Sequence, residues 1–418
     1  MATLKKSALA TLVGAAAMAA AGAANATIVV GGENGYTFSV DGNINQFYVH
    51  SNGKRGEKNE TRVRNGLLPT FLGFNVSAPE MNGLTVGARV SISPSTNGGS
   101  YFDGSQAGNA MEQREAFATV DGDFGQIMIG KGLGLYGSHN ILLDQTLFGV
   151  GATLGGDAQT TLGRIGYGYD YANWRSQIRY TTPNMNGFQA AVAVMEADRL
   201  GTDTIPDEIV VVNGTDSTLN GVPGLDTRRD QPRFEVDLSY ATSFDGGSFK
   251  GWVSGMSQKL KLDGDAATSS SARSNAYTVG VNVLVAGFDF VAAGYRNRGV
   301  GDLGGLAYGS ALDATGSRVK GRGYYAQAGY TFAGATKVSY SYGESKLRET
   351  SAQKADATFG GIDKRRMHTF GIYHDVTANL KLVAEYSRME EKYHNVNTVS
   401  GNSKDKRDVF AIGGFVSW

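Results

Sequence analysis

The sequence predicts an all-β protein, a 16-stranded antiparallel transmembrane β-barrel. Three observations lead to this prediction. After the first 26 residues the chain has no apolar run of the ~20 residues that a spanning helix needs. Several segments alternate between apolar and polar side chains, which is the two-residue period of a strand with two different surroundings. Short and long connections alternate along the whole chain, as they do in closed membrane barrels.

The first 26 residues have the pattern of a secretory signal peptide. Lys5 and Lys6 form a short positive segment, residues 8–23 are apolar, and residues 24–26, Ala-Asn-Ala, fit the small–any–small pattern of a cleavage site. Cleavage after this triplet would leave 27–418 as a single barrel domain. A retained membrane helix is the alternative, but the apolar stretch is short and has no stop-transfer flank.

Composition narrows the function classes. The chain has 418 residues, no cysteine, and 39 basic against 39 acidic residues. Without cysteine, disulfide scaffolds, zinc–thiolate clusters and thiol nucleophiles are excluded. Loss of the two signal-peptide lysines leaves 37 basic against 39 acidic residues, so charge gives no reason to expect a nucleic-acid partner. The five histidines lack metal-ligand spacing, so neither an enzyme nor a metal or cofactor is expected.

Strand periodicity is clearest in four segments, 84–92, 234–240, 277–285 and 324–332. In the first segment every second residue from Leu84 to Ile92 is apolar, and Arg89 lies on the other face. Such strands are expected to place one face against lipid and the other against water.

The connections between these strands fall into two kinds. Seven are short and rich in Gly, Pro, Asn and Asp: 79–83, 121–125, 183–187, 244–247, 286–287, 333–334 and 377–379. Eight are long: 50–60, 94–110, 132–173, 198–231, 261–274, 297–320, 346–364 and 394–406. Fifteen connections join sixteen strands, and closure pairs every strand edge while lipid covers the apolar faces. A solenoid or adhesin is the alternative, but the chain shows no fixed repeat period.

Three stretches, taken in order, resemble general Gram-negative porins of the β-proteobacterial and neisserial type. They are 72–74 followed by Gly83-Leu84, 114–120 with 124–131, and 178–191. The resemblance implies a homotrimer in the outer membrane, in which each barrel has its own water-filled pore and a long third loop folded into the lumen. It implies passive diffusion of small hydrophilic solutes and ions. The chain departs from the family in ending on Trp418 rather than Phe and in lacking an acidic patch in the third loop.

The longest connection, 132–173, is unusually apolar and is predicted to be the constriction loop. Because arginine facing lipid at the membrane midplane costs about 2–4 kcal/mol, the strand arginines should face the lumen. The predicted constriction residues are Arg62, Arg64, Arg89, Arg114, Lys131, Arg175 and Arg179, with Asp144 and Asp157 as the acids of the loop. Such a row favours anions. Alternatively, several arginines pair with Glu112, Glu115 or Asp170 and only brace the wall.

The expected function is therefore an open diffusion channel with anion preference. A substrate-selective channel for organic acids or phosphate is one alternative, and a barrel-anchored hydrolase or adhesin is another. Basic clusters at 364–366 and 404–407 lie where two long loops return to strands. Phosphorylated lipid, such as lipopolysaccharide in the outer leaflet, would attract them.

Overall fold

The computed structural model describes residues 28–54, 59–97, 111–153, 160–198, 226–229, 231–263, 267, 269–301, 311–397 and 400–418. The predicted signal peptide lies outside these ranges. The strands of the described part are β1 Ile28–Gly31, β2 Thr37–Lys54, β3 Glu60–Arg64, β4 Phe71–Ser77, β5 Thr85–Pro94, β6 Met111–Glu112, β7 Ala116–Gly122, β8 Gly125–Leu133, β9 Trp174–Thr181, β10 Phe188–Met195, β11 Asp226–Arg229, β12 Arg233–Phe244, β13 Gly247–Asp263, β14 Ser271–Val285, β15 Phe288–Arg298, β16 Lys320–Phe332, β17 Thr336–Arg348, β18 Ile362–Thr377, β19 Leu380–Tyr393 and β20 Lys404–Ser417. Two short helices, α1 Ser138–Leu143 and α2 Ser351–Ala355, and a 3₁₀ helix, Gln145–Phe148, lie between strands.

The strands form one closed antiparallel barrel. Each strand pairs with its neighbours in the chain, and β20 closes the sheet on β2 from Asn43↔Ser417 to Lys54↔Lys406. Three barrel strands are each built from two pieces, β3 with β4, β6 with β7, and β11 with β12. Counted in this way the barrel has sixteen strands, and β1 adds a short pairing at the start of β2. The predicted 16-stranded barrel is confirmed.

The seven predicted short turns all join adjacent strands at one end of the barrel. Four of them reverse the chain through backbone with positive φ, at Asn82, Asn186, Ala286 and Ala333, each followed by a glycine that also has positive φ. Consecutive left-handed residues give a turn whose twist matches that of the flanking strands. The Asn-Gly and Ala-Gly pairs of the sequence therefore fix both the turn and the register of each hairpin.

The two faces of the barrel differ as the sequence periodicity predicts. On β14, Tyr277 and Val279 are each 50% exposed, whereas their neighbours Thr278 and Ser274 are buried. The exposed set continues round the barrel as valine, isoleucine, phenylalanine and tyrosine, so the outward face is apolar and suited to lipid. The inward face is polar. No helix in the described ranges is long and apolar enough to cross a membrane.

The largest buried cluster lies inside the barrel. It joins residues of segment 134–173, among them Val150 and Tyr169, to inward-facing wall residues such as Phe47, Trp252 and Tyr325. The apolar content that the sequence shows in this segment therefore packs against the inner wall. Segment 134–173 is called loop 3 below.

Candidate functional site

Loop 3 lies against the inner face of eight successive strands, β12 to β19. On the outgoing arm, the Asn140 amide donates to Thr278 Oγ1 of β14 at 3.0 Å and accepts from the Trp252 indole of β13 at 3.2 Å. Further along, the Gln145 backbone N–H donates to Gln327 Oε1 of β16 at 2.7 Å. Hydrogen bonds to polar side chains at successive strands fix the loop's path along the wall.

Two wall glutamates each hold two consecutive backbone N–H groups of loop 3. Glu235 Oε2 of β12 accepts from Leu135 N at 2.7 Å and from Tyr136 N at 2.8 Å. Glu385 Oε2 of β19 accepts from Val150 N at 2.7 Å and from the next N–H at 3.0 Å. A carboxylate that receives two backbone donors makes a charge-assisted anchor. These anchors hold the two ends of the outgoing arm.

Glycine is required where loop 3 approaches the wall most closely. A Cβ on Gly149 would stand 2.0 Å from Glu385 Oε1, and a Cβ on Gly343 of β17 would stand 2.0 Å from the Tyr167 carbonyl oxygen. Both distances are far inside van der Waals contact. The absence of a side chain at these two positions is therefore what lets the loop lie flat on the barrel wall.

The returning arm binds the same strands. Arg164 donates to the Met367 carbonyl of β18 at 3.0 Å and to the Ser341 hydroxyl of β17. The Tyr167 hydroxyl donates to Glu391 of β19 at 2.8 Å, and Gly168 N donates to Ser345 at 3.0 Å. The sequence did not single out Arg164, because its partners Ser341 and Met367 lie 177 and 203 positions further along the chain.

The two acids of loop 3 that the structure describes are buried and hydrogen-bonded within the loop or to the wall. Asp144 is 3% exposed and accepts from Thr146 N at 3.0 Å and from the Tyr169 hydroxyl at 2.9 Å. Asp170 is 2% exposed and accepts from the Tyr136 hydroxyl and the Asn297 amide, each at 2.7 Å. Placing Asp144 at the constriction was wrong, because it caps the 3₁₀ helix instead. Asp157 lies outside the described residues.

Burial raises the pKa of Asp170 to about 6, against the lowering effect of its hydrogen bonds from Asn297 and Tyr136. The native loop therefore favours the protonated carboxyl relative to the unfolded chain. The destabilising contribution of this group grows as the pH rises from about 4 to about 6.

Apolar side chains of loop 3 face the part of the lumen that the loop leaves open. Leu142, Leu143 and Phe148 pack against the buried cluster on one side and are half-buried, as is Leu68 on the link between β3 and β4. These half-buried side chains are hydrocarbon, whereas the two described acids of the loop are buried. The described part of loop 3 therefore presents no row of exposed carboxylates.

The predicted arginines lie on the part of the wall outside β12–β19, and most are paired. Arg89 of β5 donates to both oxygens of Asp41, at 2.6 and 3.0 Å, to Glu115 at 2.7 Å and to Asn75 at 2.9 Å. One guanidinium is therefore shared by two carboxylates. The prediction that Arg89 faces inward is in accord with the structure, but its charge is neutralised within the wall.

Three further arginines are paired in the same way. Arg114 donates to Glu112 at 2.8 Å, and Arg62 pairs with Glu60. Arg175 of β9 binds Asp198 at 2.5 Å, and Asp198 also accepts from Arg233. The alternative, in which arginines pair with wall acids, describes Arg89, which binds Glu115, and Arg114, which binds Glu112. The third acid that it named, Asp170, accepts hydrogen bonds from Tyr136 and Asn297 and not from an arginine.

Two inward cations differ from the rest. Arg179 of β9 and Lys250 of β13 make no hydrogen bond or ion pair with any residue that the structure describes, although Asp237 is near enough to interact with both electrostatically. Lys250 was missed from the sequence, although it lies in register with inward-facing Trp252 and Ser254. Arg64 is buried and donates to the Thr160 carbonyl of loop 3 at 2.9 Å, so it helps to hold the loop.

Lys131 does not face the lumen. On β8 it shares the outward register with Ile127 and Ile129, which are 40% and 52% exposed, and it pairs with outward Ala116. Its inclusion among the constriction residues was wrong, because the two-residue period of the strand turns its side chain to the outer face.

The fold and the site define a membrane β-barrel of the channel type, with short turns at one end, long loops at the other and a loop folded inside. A family model described as Gram-negative porin matches residues 10–394. The chain belongs to this family and is an outer-membrane porin channel, not an enzyme. The family prediction is confirmed, and the β-proteobacterial and neisserial subtype stays a prediction.

Solved structures share this fold at low sequence identity. The outer membrane channel DcaP of Acinetobacter baumannii is 14% identical with a TM-score of 0.66, and the match covers 93% of this chain and 99% of that one. An anion-selective porin from Comamonas acidovorans is 13% identical with a TM-score of 0.62, covering 92% and 100%. Salmonella typhi OmpF in complex with daunomycin is 15% identical with a TM-score of 0.57, covering 92% and 98%. No curated protein matches the chain.

Proposed function

We propose that the porin channel serves passive diffusion of small hydrophilic solutes and ions, and that 132–173 is its constriction loop. The observation that carries this is the path of loop 3, which is hydrogen-bonded along β12–β19 and to Arg64 of β3. The other predicted arginines lie on β3, β5 and β9 and before β7. Solutes pass between the apolar side of the loop and the charged wall. Polar walls with paired charges favour passage without tight binding.

Anion preference follows from the charges that stay unpaired. Arg179 and Lys250 face the lumen without an ion pair among the described residues, whereas Asp144 and Asp170 are buried. The anion-selective porin of similar fold supports the same sign. Because Arg62, Arg89, Arg114 and Arg175 are each matched by carboxylates, the preference should be modest.

Reversal potentials in a KCl gradient test the selectivity. Arg179→Gln with Lys250→Gln should move the reversal potential toward cation preference, and the shift should fade in 1 M salt, where the Debye length is about 3 Å rather than about 10 Å at 0.1 M. Lys131→Gln, on the outer face, is the matched control and should change nothing. A wild-type channel that prefers potassium would refute the anion assignment.

The outer face supports a homotrimer. The outward positions of β5, β7 and β8 are Val86, Ala88, Val90, Ile92, Ala116, Ala118, Val120, Ile127, Ile129 and Lys131. This almost uncharged, partly small-residue surface would let a second barrel approach closely. A trimer form is also recorded for OmpT, an outer membrane protein of Vibrio cholerae with a similar fold. Cross-linking and mass measurement in detergent test the assembly, and a monodisperse monomer with full conductance would contradict it.

The other half of the outer face supports contact with lipopolysaccharide. Near the long-loop ends of six adjacent strands, direct register partners form a row of cations: Arg296, Arg322, Lys346, Lys364, Lys392 and Lys404. Like charges opposite one another destabilise a sheet. Glu344, Asp363 and Glu390 offset part of the charge, but neither arginine forms an ion pair with described residues. Phosphate groups of the outer leaflet would supply the missing anions.

Lipid co-purification tests this contact. Arg296→Gln with Arg322→Gln should reduce the lipopolysaccharide that stays bound in native mass spectrometry, and Lys131→Gln should not. If the protein retained lipid A equally well with and without the lipid's phosphate groups, the cation row would not be the binding surface.

A further inference from the structure

A hollow lies at the short-turn end of the barrel, where Phe148 of the 3₁₀ helix of loop 3 packs against Phe415 of the wall. It is a shallow depression, open to solvent, with an enclosed volume of only about 20 Å³, so a ligand larger than water lies over it rather than inside it. Leu68, Phe148, Leu380 and Phe415 give it an apolar floor, and Lys381 and Asp375 stand among its lining residues. Apolar surface beside a few convergent polar groups is the usual composition of a small-molecule site.

One cation in this hollow is placed against an aromatic ring. Lys381 Nζ lies 5.4 Å from the centre of the Phe148 ring and forms an ion pair with Asp375. The Lys381 side chain is 12% exposed, whereas that of Asp375 is 41% exposed. Half-exposed ion pairs are weak. The lysine is therefore the fixed member of the pair, and a ligand carboxylate can share it with Asp375 or replace that partner.

We propose that this hollow is a weak binding site for organic anions in which a carboxylate is attached to an apolar body. The carboxylate accepts hydrogen bonds from Lys381 Nζ, and the apolar body lies on Phe148 and Leu68. The inference rests on the proposed diffusion function and deepens it, because it names a class of solute that the pore retains on its way through. A shallow site open to solvent also lets the solute leave, which conduction requires.

The two halves of the site make separate demands on a ligand. An inorganic anion or a short carboxylate can use Lys381 but leaves the apolar floor uncovered. A neutral aromatic alcohol can cover the floor but offers no charge to Lys381. Only an anion with an apolar body uses both, so benzoate, acetate and benzyl alcohol form a matched set of probes.

Planar-bilayer recording of the full-length channel in KCl gives the measurement. Benzoate should reduce the current at a half-blocking concentration about tenfold lower than acetate, which is about 1.4 kcal/mol and is of the size expected when one face of a ring leaves water. Benzyl alcohol should block more weakly than benzoate. Equal block by acetate and benzoate through a conducting channel would overturn the site.

Variants assign the effect to named residues. Phe148→Ala should remove the advantage of benzoate over acetate, and Phe148→Leu, which keeps an apolar floor, should retain most of it. Lys381→Gln should weaken block by both anions, whereas Asp375→Asn should strengthen it. The control is Lys337→Gln. Lys337 of β17 pairs with Asp289 of β15 on the inward face, makes no cation–π contact within the described residues, and does not line the hollow.

The outcomes separate this inference from the function on which it rests. Absence of any KCl conductance would contradict the proposed channel itself. Normal conductance with an unchanged benzoate advantage in both Phe148 variants would overturn the binding site and leave the channel intact. The KCl conductance of each variant before benzoate is added shows whether the substitution has displaced loop 3.

Discussion

The Glu385 anchor offers the sharpest test of how loop 3 is held. Its carboxylate receives N–H groups from Val150 at 2.7 Å and Gly151 at 3.0 Å. Hydrogen bonds to charged groups contribute about 1.5–3 kcal/mol each, so Glu385→Ala removes roughly 3–6 kcal/mol of local attachment. Glu385→Gln keeps an oxygen acceptor but loses the charge, which leaves about half of that energy.

Hydrogen exchange of the two amides, measured in detergent, reports this energy directly. Because about 1.4 kcal/mol corresponds to a tenfold change, Glu385→Gln should accelerate exchange at Val150 and Gly151 roughly 10- to 100-fold, and Glu385→Ala should accelerate it further. Single-channel records of the alanine variant should show added closures as the freed arm moves into the lumen.

The matched control is Glu344→Gln, a glutamate on the outward face that pairs with Lys364. It should leave exchange at both loop amides and the current noise unchanged. Wild-type exchange rates in Glu385→Ala would show that loop 3 is held without the Glu385 anchor.

Three further predictions follow from the same geometry. Gly149→Ala should displace loop 3 and change the conductance, because the added Cβ would stand 2.0 Å from the Glu385 carboxylate; a wild-type conductance would contradict the close approach. Thermal unfolding should show a contribution from Asp170 that makes the protein less stable as the pH rises from about 4 to about 6, and Asp170→Asn should flatten this dependence. Arg89→Gln should shift the reversal potential strongly toward cations, because it uncovers two carboxylates at once; a shift smaller than that of Arg179→Gln would argue against the paired wall.

Much of the fold could be predicted because its determinants are local. A two-residue period and Asn-Gly or Ala-Gly turns depend only on neighbours in the chain. They predict the number of strands, the positions of the turns, and which side chains face the lipid or the lumen. The same two-residue period predicts that Lys131 faces outward, because Lys131 follows Ile127 and Ile129 in steps of two. For Lys250 the signal was the register with Trp252.

Which charges of the lumen wall are paired could not be predicted, because the partners come together only when the barrel closes. Arg89 meets Asp41 across 48 positions of sequence, and Leu135 meets Glu235 across 100. Composition gives equal numbers of acids and bases but not which of them touch. The sequence therefore identified inward arginines and overestimated the positive field that they leave in the lumen.

In the proposed channel, ions pass along the exposed side of loop 3. The chain contains no cysteine, so a single Leu143→Cys substitution can be modified selectively by a negatively charged methanethiosulfonate during single-channel recording. We expect a lasting fall in conductance on modification, and none for Leu382→Cys, because Leu382 is 48% exposed on the outer face. Complete modification of Leu143→Cys with an unchanged current would contradict this expectation.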